Sequence, residues 1–379
     1  MHKRRILITF SSIILVLLAA VGGIAIAKYL DTSNTSPAKD TSNNTPPSKT
    51  ALSCVEALPF ATKIGQKIMA AGYSDQLASS QSTFVQSNIG GVILMNETSK
   101  TSIDSFKQGF LIAPTIAVDQ EGGTVQRFKT EGILPGATEI ATNFSAEQAY
   151  QKYLTDAQFL SSMGISVNFA PVVDVVSAEP SPLPGRMYSS NPATVTEYAT
   201  QFIKASQKAA ITPVVKHFPG LGSATGNTDN ESATTDSWST LQTRDTLPYK
   251  QLAQFKADAM VSNAIVPGLT DGQPAIWSAA AVTALRSYGY QDSVVYTDSL
   301  TAEAIPGTIE DAAIKSWQAD VDVALIVQKR NETASLASLF QAILARATTA
   351  TQNKELSDQK ISESVLRILQ RKGINPCSL

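Results

Sequence analysis

The chain has 379 residues, of which 43% are hydrophobic, and this is enough for one large domain with a deep core. Its 30 basic and 32 acidic side chains give a formal net charge of −2, so there is no basic field to recruit nucleic acid. With one histidine in the folded body and two widely spaced cysteines, no ligand cluster exists, and we expect neither a metal nor an organic cofactor.

The N-terminus carries a basic cluster, Lys3 to Arg5, followed by an uncharged apolar run from Ile6 to Ala27. This pattern predicts an export signal or a membrane anchor over residues 1–28, with the basic flank in the cytoplasm and the remainder exported. The small residues around Ile26 suit a cleavage site, whereas the run exceeds the roughly 7–15 residues of a signal core, which favours an anchor. We expect a membrane-anchored extracytoplasmic protein, or a secreted one if the segment is cleaved.

Residues 29–53 are rich in Ser, Thr, Asn and Pro and cannot bury enough surface to fold, so they are interpreted as a disordered linker. Residues 54–379 form the folded body, which we expect to be a monomer. Cys54 and Cys377 stand at its two ends, and in an oxidising compartment a disulfide between them is plausible. The alternative is two unrelated thiols, because sequence does not give their separation.

The folded body alternates short apolar runs with segments long enough for helices, such as residues 193–210 and 279–288. Most of the runs end in a polar residue, and this βαβα alternation predicts an α/β fold with a parallel sheet, a single-domain (β/α)8 TIM-type barrel. A helix is predicted to open the barrel over residues 60–71 and another to close it over 363–372. Seven strands are assigned, over residues 90–94, 116–118, 167–170, 213–215, 259–261, 294–296 and 323–328. The position of the eighth strand is not predicted.

The strand ends carry the candidate functional residues, since these ends converge on the active-site face of such a barrel. Lys216 and His217 end one apolar run, and a Lys at that position needs a ligand or a carboxylate; the alternative is a structural Lys paired with a neighbouring Asp. Asp119 ends another run and is followed by Gly122 and Gly123, which allow close approach of a ligand or simply form a tight turn.

Several blocks in unbroken order, together spanning residues 58–372, resemble glycoside hydrolase family 3, in its single-domain β-N-acetylhexosaminidase branch. The matching blocks are residues 63–66, 90–94, 119–128, 168–174, 216–220 and 297–298, with Arg186, Asn191 and Pro192. The resemblance implies that the terminal sugar is bound by Asp119, Arg127, Arg186, Lys216 and His217.

By the same resemblance Asp298 would be the catalytic nucleophile of a retaining glycosidase, which must be ionised, and nearby Lys or Arg would keep the pKa of its carboxyl low. Alternatively, Asp298 could be the N-cap of a helix over residues 300–305.

The chain departs from that branch at the general acid/base, a histidine that the branch carries in the loop after the Lys-His-Phe-Pro-Gly block. Here only His2 and His217 exist, and the loop offers Asp229 and Glu231 instead. A carboxylic acid can do this work if burial or a neighbouring charge raises its pKa. Glu231 is preferred because its side chain is longer and because it occupies the third place of an Asp-x-Glu spacing that resembles the Asp-x-His element of the branch. The alternative is a solvated loop in which neither residue is catalytic.

Two further positions bear on this site. Asp174 is expected to be structural or a partner of Lys216. Asn263 stands where many members of the family have a histidine, which puts the substrate contacts there in doubt.

These features predict an enzyme that removes a terminal β-linked sugar with retention, N-acetylglucosamine from peptidoglycan-derived or cell-wall glycans being the expected substrate. The alternatives are a β-glucosidase-type specificity, and a non-hydrolytic cell-wall glycan-binding protein that has lost its acid/base. General acid catalysis supplies roughly 10²–10⁴-fold of a much larger rate enhancement, so a weakened acid would slow cleavage without abolishing it.

Overall fold

The computed structural model describes residues 50–129, 132–331 and 336–379. In these ranges eight parallel strands close into a barrel in chain order, so the predicted (β/α)8 barrel is confirmed. The strands are β1 Ile68–Gly72, β2 Gly91–Leu94, β3 Thr115–Val118, β4 Val167–Asn168, β5 Thr212–Phe218, β6 Asp258–Val261, β7 Val295–Ser299 and β8 Val323–Ile326. The predicted membrane segment and almost all of the predicted linker lie outside the described residues, and no helix within them could span a membrane.

Helices surround the barrel and connect its strands. They are α1 Ala51–Glu56, α2 Phe60–Gln66, α3 Leu77–Gln86, α4 Lys100–Phe106, α5 Ala137–Asn143, α6 Ala146–Ser162, α7 Pro192–Lys208, α8 Trp238–Thr243, α9 Thr246–Leu252, α10 Ala279–Leu285, α11 Ile309–Gln318, α12 Leu336–Gln352 and α13 Asp358–Arg371. Several begin at a side-chain cap, as in α6, where Ser145 and Gln148 form a reciprocal capping box.

The strand that the sequence did not assign is β1. It begins inside the segment predicted as one helix over residues 60–71, so the opening helix is present over residues 60–66 and the prediction is wrong from residue 68 onwards. Helix α2 ends at Gln66, where the main chains of two segments meet: the Gly90 N–H donates to the Gly65 carbonyl at 2.8 Å. All five residues of β1 are buried, so the strand shows no alternation of polar and apolar side chains. Its Met and Ala residues are also good helix formers, and the apolar pattern of α2 therefore continues into the strand without a break.

Helix α13 covers the N-terminal face of the barrel. Its Ile368 packs into the barrel interior with side chains such as Met69 and Ile93. Its Arg367 and Arg371 donate to buried carboxylates at the strand starts: Arg367 Nη2 lies 2.7 Å from Asp322 Oδ1, and Arg371 Nη2 lies 2.6 Å from Asp258 Oδ1. This face is therefore filled and internally paired, which leaves the opposite face, at the strand C-termini, for a site.

A disulfide joins Cys54 in α1 to Cys377 near the C-terminus, with the two Cα atoms 5.1 Å apart. The bridge considered from the sequence is thus present. Helix α1 packs against α13, so both ends of the folded body meet beside the helix that covers the N-terminal face of the barrel.

Candidate active site

A cavity of about 320 Å³ opens at the C-terminal ends of the strands. Residues from β5, β6, β7 and β8 line it, together with residues that follow β2, β3, β4, β5, β7 and β8. The polar lining includes all the predicted site residues except Glu231, together with Glu121, which was not predicted: Asp119, Glu121, Arg127, Arg186, Lys216, His217, Asp229 and Asp298.

Lys216, on β5, is buried between two carboxylates at the edge of this cavity. Its Nζ lies 2.8 Å from Asp119 Oδ1 and 2.6 Å from Glu121 Oε1. Burial alone would lower the pKa of Lys216, but the charges of Asp119 and Glu121 outweigh it and hold the pKa above its usual value. Lys216 is therefore a permanent cation in the wall of the cavity.

Glu121 connects this lysine to Arg186. The guanidinium binds the Glu121 carboxylate with two bonds, Nε to Oε2 at 2.8 Å and Nη2 to Oε1 at 2.9 Å. Burial would raise the pKa of Glu121, yet Lys216 and Arg186 lower it to about 2. The clue to its role in the sequence is its position two residues after Asp119.

Gln120 holds the loop that follows β3. Its side-chain oxygen accepts from the main-chain N–H groups of Arg127 and Phe128, at 2.9 and 3.1 Å. This brings Arg127 back over the strand end, where its Nη2 lies 3.3 Å from Asp119 Oδ2. Gly122 has a φ of +97°, and a Cβ there would lie 2.3 Å from the Pro135 carbonyl oxygen, so this glycine is explained by a tight turn.

One expectation from the sequence was that Asp174 pairs with Lys216. Asp174 pairs instead with the neighbouring His217. Its Oδ2 lies 2.7 Å from His217 Nδ1, and its Oδ1 accepts from the main-chain N–H groups of His217 and Leu221. Asp174 is fully buried, so the carboxylate fixes the orientation of the imidazole in the cavity wall. Lys216 already has its partners in Asp119 and Glu121, which follow β3, two strands away in the barrel.

Asp298 lies on β7 and faces the cavity, half-buried. Its Oδ1 accepts from the Ser299 N–H at 2.8 Å. Residues 300–305 form turns, so the alternative of a helix cap is wrong. Burial raises the pKa of the Asp298 carboxyl above its usual value. The charge of His217, in its protonated form, and that of Lys216 oppose this effect, and the charge of Asp229 adds to it. The expectation of a low pKa is therefore wrong, because the effect of burial outweighs that of the nearby positive charges.

The loop after β5 brings Asp229 to the cavity and leaves Glu231 outside its lining. Two main-chain bonds join this loop to the segment after β7: Glu303 N–H to the Asp229 carbonyl at 3.2 Å, and Ala304 N–H to the Thr228 carbonyl at 3.3 Å. Glu231 is exposed and folds back onto its own loop, since a Cβ on Gly226 would lie 2.0 Å from Glu231 Oε1. The longer side chain thus does not reach the cavity.

Comparison with known proteins agrees with this geometry. Residues 58–371 match the family described as the glycosyl hydrolase family 3 N terminal domain. The chain belongs to this family. The Beta-hexosaminidase LpqI of Mycobacterium tuberculosis is 33% identical to it over 316 residues, which cover 79% of each chain.

Two solved structures extend the likeness to family 3 enzymes over most of the barrel. A glycosyl hydrolase of the GH3 family from Mycobacterium smegmatis is 30% identical, with a TM-score of 0.76, and covers 84% of this chain and 98% of the other. The structure of M. tuberculosis LpqI is 29% identical, with a TM-score of 0.77, over 86% and 97% of the two chains. The family 3 resemblance identified in the sequence is confirmed, and the protein is a glycoside hydrolase.

Proposed function

We propose that this family 3 enzyme removes terminal β-linked N-acetylglucosamine from peptidoglycan-derived or cell-wall glycans, with retention of anomeric configuration. The observation that carries the proposal is the charged lining of the cavity: three cations, an imidazole and several carboxylates surround a volume of about 320 Å³. That volume is near the lower limit for a ligand pocket, and it matches one terminal sugar ring better than several rings of a glycan chain. The β-hexosaminidase names of the relatives support N-acetylglucosamine as that sugar.

Sugar binding in this proposal is the work of Asp119, Arg127, Arg186, Lys216 and His217, with Glu121 as their organiser. Charged hydrogen-bond donors and acceptors held in place by one another can bind several hydroxyl groups without rearranging. The pairing of Lys216 with both Asp119 and Glu121 supports such preorganisation, because each partner restrains the others.

Asp298 is the proposed nucleophile. It is the carboxylate at the end of β7 that faces the cavity, and no cation lies within salt-bridge distance of it in the described part of the chain. Attack by its ionised form would give a glycosyl-Asp298 intermediate, which water then hydrolyses. The raised pKa implies that substrate binds productively only above the pH at which Asp298 loses its proton.

Asp229 is the better supported of the two candidates for the acid/base, which reverses the preference from the sequence. It lines the same cavity as Asp298, and its charge contributes to the raised pKa of Asp298, so the two carboxylates are close. A retaining mechanism requires such a pair on either side of the scissile bond. Glu231 is the second candidate, since its side chain would have to adopt a different conformation to reach the cavity.

We also propose that residues 1–28 anchor the protein in the membrane, that residues 29–53 act as a linker, and that residues 54–379 act as a monomeric extracytoplasmic barrel. The basic cluster before an uncharged apolar run supports the anchor, and the Cys54–Cys377 bridge supports an oxidising compartment. Membrane fractionation with N-terminal sequencing tests it. A soluble product that begins near Lys28 would instead indicate a cleaved signal.

Turnover on a panel of nitrophenyl β-glycosides tests the proposed activity. We expect the N-acetylglucosaminide to be cleaved with the highest kcat/KM, and the first-formed product to be the β-anomer. Preference for the glucoside would indicate β-glucosidase specificity, and binding without any turnover would indicate a glycan-binding protein.

A further inference from the structure

Asn263 lies just beyond the end of β6 and is almost completely buried, with 1% of its surface exposed. Its side-chain Nδ2 donates to the Ser299 carbonyl at 2.8 Å. Its Oδ1 is also buried and has no hydrogen-bond partner among the described residues. Asn263 is not among the residues that line the cavity.

Ser299 is the residue next to Asp298, and both its main-chain N–H and its main-chain carbonyl are hydrogen-bonded. The Ser299 N–H donates to Asp298 Oδ1, and the Ser299 carbonyl accepts from Asn263. Its hydroxyl is 2.8 Å from that of Thr301, whose own hydroxyl donates to the Val327 carbonyl. The orientation of the Asp298 carboxylate therefore depends on a turn that Asn263 fixes from the neighbouring strand.

This arrangement is poor for stability. A buried acceptor without a partner costs free energy, and an apolar side chain of similar shape would remove this acceptor. The Ser299 carbonyl would lose one donor but would keep the bond that it accepts from the Ala302 N–H at 3.3 Å. Sites of this kind commonly serve function at the expense of stability.

From these contacts we infer that Asn263 is a positioning residue for the reaction, which holds the Asp298 carboxylate in its productive orientation through the Ser299 peptide. The inference rests on the proposed role of Asp298 as nucleophile. It predicts that replacement of Asn263 affects the chemical step more than the binding of substrate.

The test compares Asn263→Leu, which keeps the approximate shape, with Asn263→Ala, which keeps only the Cβ. For the full-length enzyme acting on the nitrophenyl N-acetylglucosaminide, we expect kcat to fall by about 10²-fold with little change in KM. The melting temperature of Asn263→Leu should equal or exceed that of the wild type. Asn263→Ala serves as the second variant if the leucine is not accommodated.

The pH profile separates positioning from a merely structural role. The Ser299 N–H bond lowers the pKa of Asp298, so a loosened turn should move the acid limb of kcat/KM to higher pH. Lys216, His217 and Asp229, the other groups that act on Asp298, are unchanged in both variants.

Ser293→Ala is the matched control, because the Ser293 hydroxyl also makes a buried bond to a main-chain carbonyl, that of Ala257 at 2.7 Å, at the other end of the barrel. It should lower the melting temperature and leave kcat unchanged. Unchanged kcat in the Asn263 variants, or a fall in kcat and melting temperature with an unshifted acid limb, would overturn the inference. If Asp298→Ala is inactive in the same assay, such a result rejects the role of Asn263 alone; if Asp298→Ala is active, the proposed nucleophile is rejected.

Discussion

His217 and Asp174 form a buried pair in the wall of the cavity, with Nδ1 of the imidazole 2.7 Å from Oδ2 of the carboxylate. Because an ionised carboxylate can only accept, the proton of a neutral His217 lies on Nδ1, and Nε2 is left as an acceptor. His217 is therefore suited to accept a hydrogen bond from a sugar hydroxyl. The same carboxylate receives the main-chain N–H groups of His217 and Leu221, so it also shapes the turn after β5.

Asp174→Asn should reverse the hydrogen bonding of His217. The amide oxygen can still accept from the two main-chain N–H groups, but the amide nitrogen donates to Nδ1, so the ring proton moves to Nε2. An acceptor for a sugar hydroxyl becomes a donor, and we expect kcat/KM to fall by about 10²-fold. Kinetics with deoxy analogues of the sugar check this. For one analogue, the substitution should lower kcat/KM less than it does for the parent substrate. An equal loss for every analogue would contradict the role of His217.

Replacement of the acid/base should reduce the rate by a factor that depends on the leaving group of the substrate. Asp229→Asn is expected to reduce turnover of a natural disaccharide by about 10²–10⁴-fold, because a sugar leaving group needs protonation. Glycosylation by a nitrophenyl glycoside should be much less affected, and azide should accelerate the second step and give a β-glycosyl azide. Glu231→Gln in the same loop is the matched variant and should resemble the wild type. The reverse ranking would restore Glu231, and small equal effects of both would reject this loop as the source of the acid.

Asp156 offers a test of the electrostatics that is independent of activity. Burial raises the pKa of this carboxyl to about 6, although Oδ1 accepts from Gln120 at 3.0 Å. Between the unfolded value of about 4 and this value, the folded state binds a proton that the unfolded state does not. The stability of the wild type relative to Asp156→Asn should therefore fall as pH rises through this window, by at most about 3 kcal/mol, and less because the group is partly exposed.

Urea unfolding at several pH values measures this difference. Glu147→Gln is the matched control, because Glu147 lies on the same helix, α6, and also accepts from a glutamine amide, but is exposed. The effect of Glu147→Gln on stability should vary less with pH than the effect of Asp156→Asn. Parallel pH dependence of the two variants would contradict the assigned pKa of Asp156.

Removal of the disulfide should lower stability but not activity. The Cys54–Cys377 bridge closes a loop with a sequence separation of 323 residues, for which chain entropy gives about 6 kcal/mol, although measured values are often smaller. The bridge lies beside α13, away from the catalytic face. The double variant Cys54→Ser, Cys377→Ser should therefore melt at a lower temperature and keep its kcat at room temperature. A loss of kcat in protein that is still folded would show that the bridge affects the site.

The fold was predictable because most strands of a parallel barrel are apolar runs that end in a polar residue. The exception was β1, whose Met and Ala residues continue the pattern of α2, and whose start is set by contact between the main chains at Gly65 and Gly90. Such a contact between distant segments leaves no local pattern in a single sequence.

The residues of the site were largely predicted, whereas their partners were not. Lys216 pairs with Asp119 and Glu121 because β3 and β5 point to the same cavity, a relationship that depends on three-dimensional arrangement. The choice between Asp229 and Glu231 depended on the path of the loop, which is fixed by main-chain bonds to residues 303–304. Side-chain length and the Asp-x-Glu spacing, the two arguments available from the sequence, did not decide it.

The central claim is that Asp298 is the nucleophile of a retaining hydrolysis, and the most direct measurement is identification of the covalent intermediate. The Asp229→Asn variant, mixed with an activated N-acetylglucosaminide, should form the intermediate faster than it hydrolyses it. Intact-mass analysis after rapid acid quenching should then show one added N-acetylglucosaminyl group, and peptide mapping should locate it on Asp298. The same adduct on another residue, or no adduct together with release of the α-anomer by the wild type, would contradict the account.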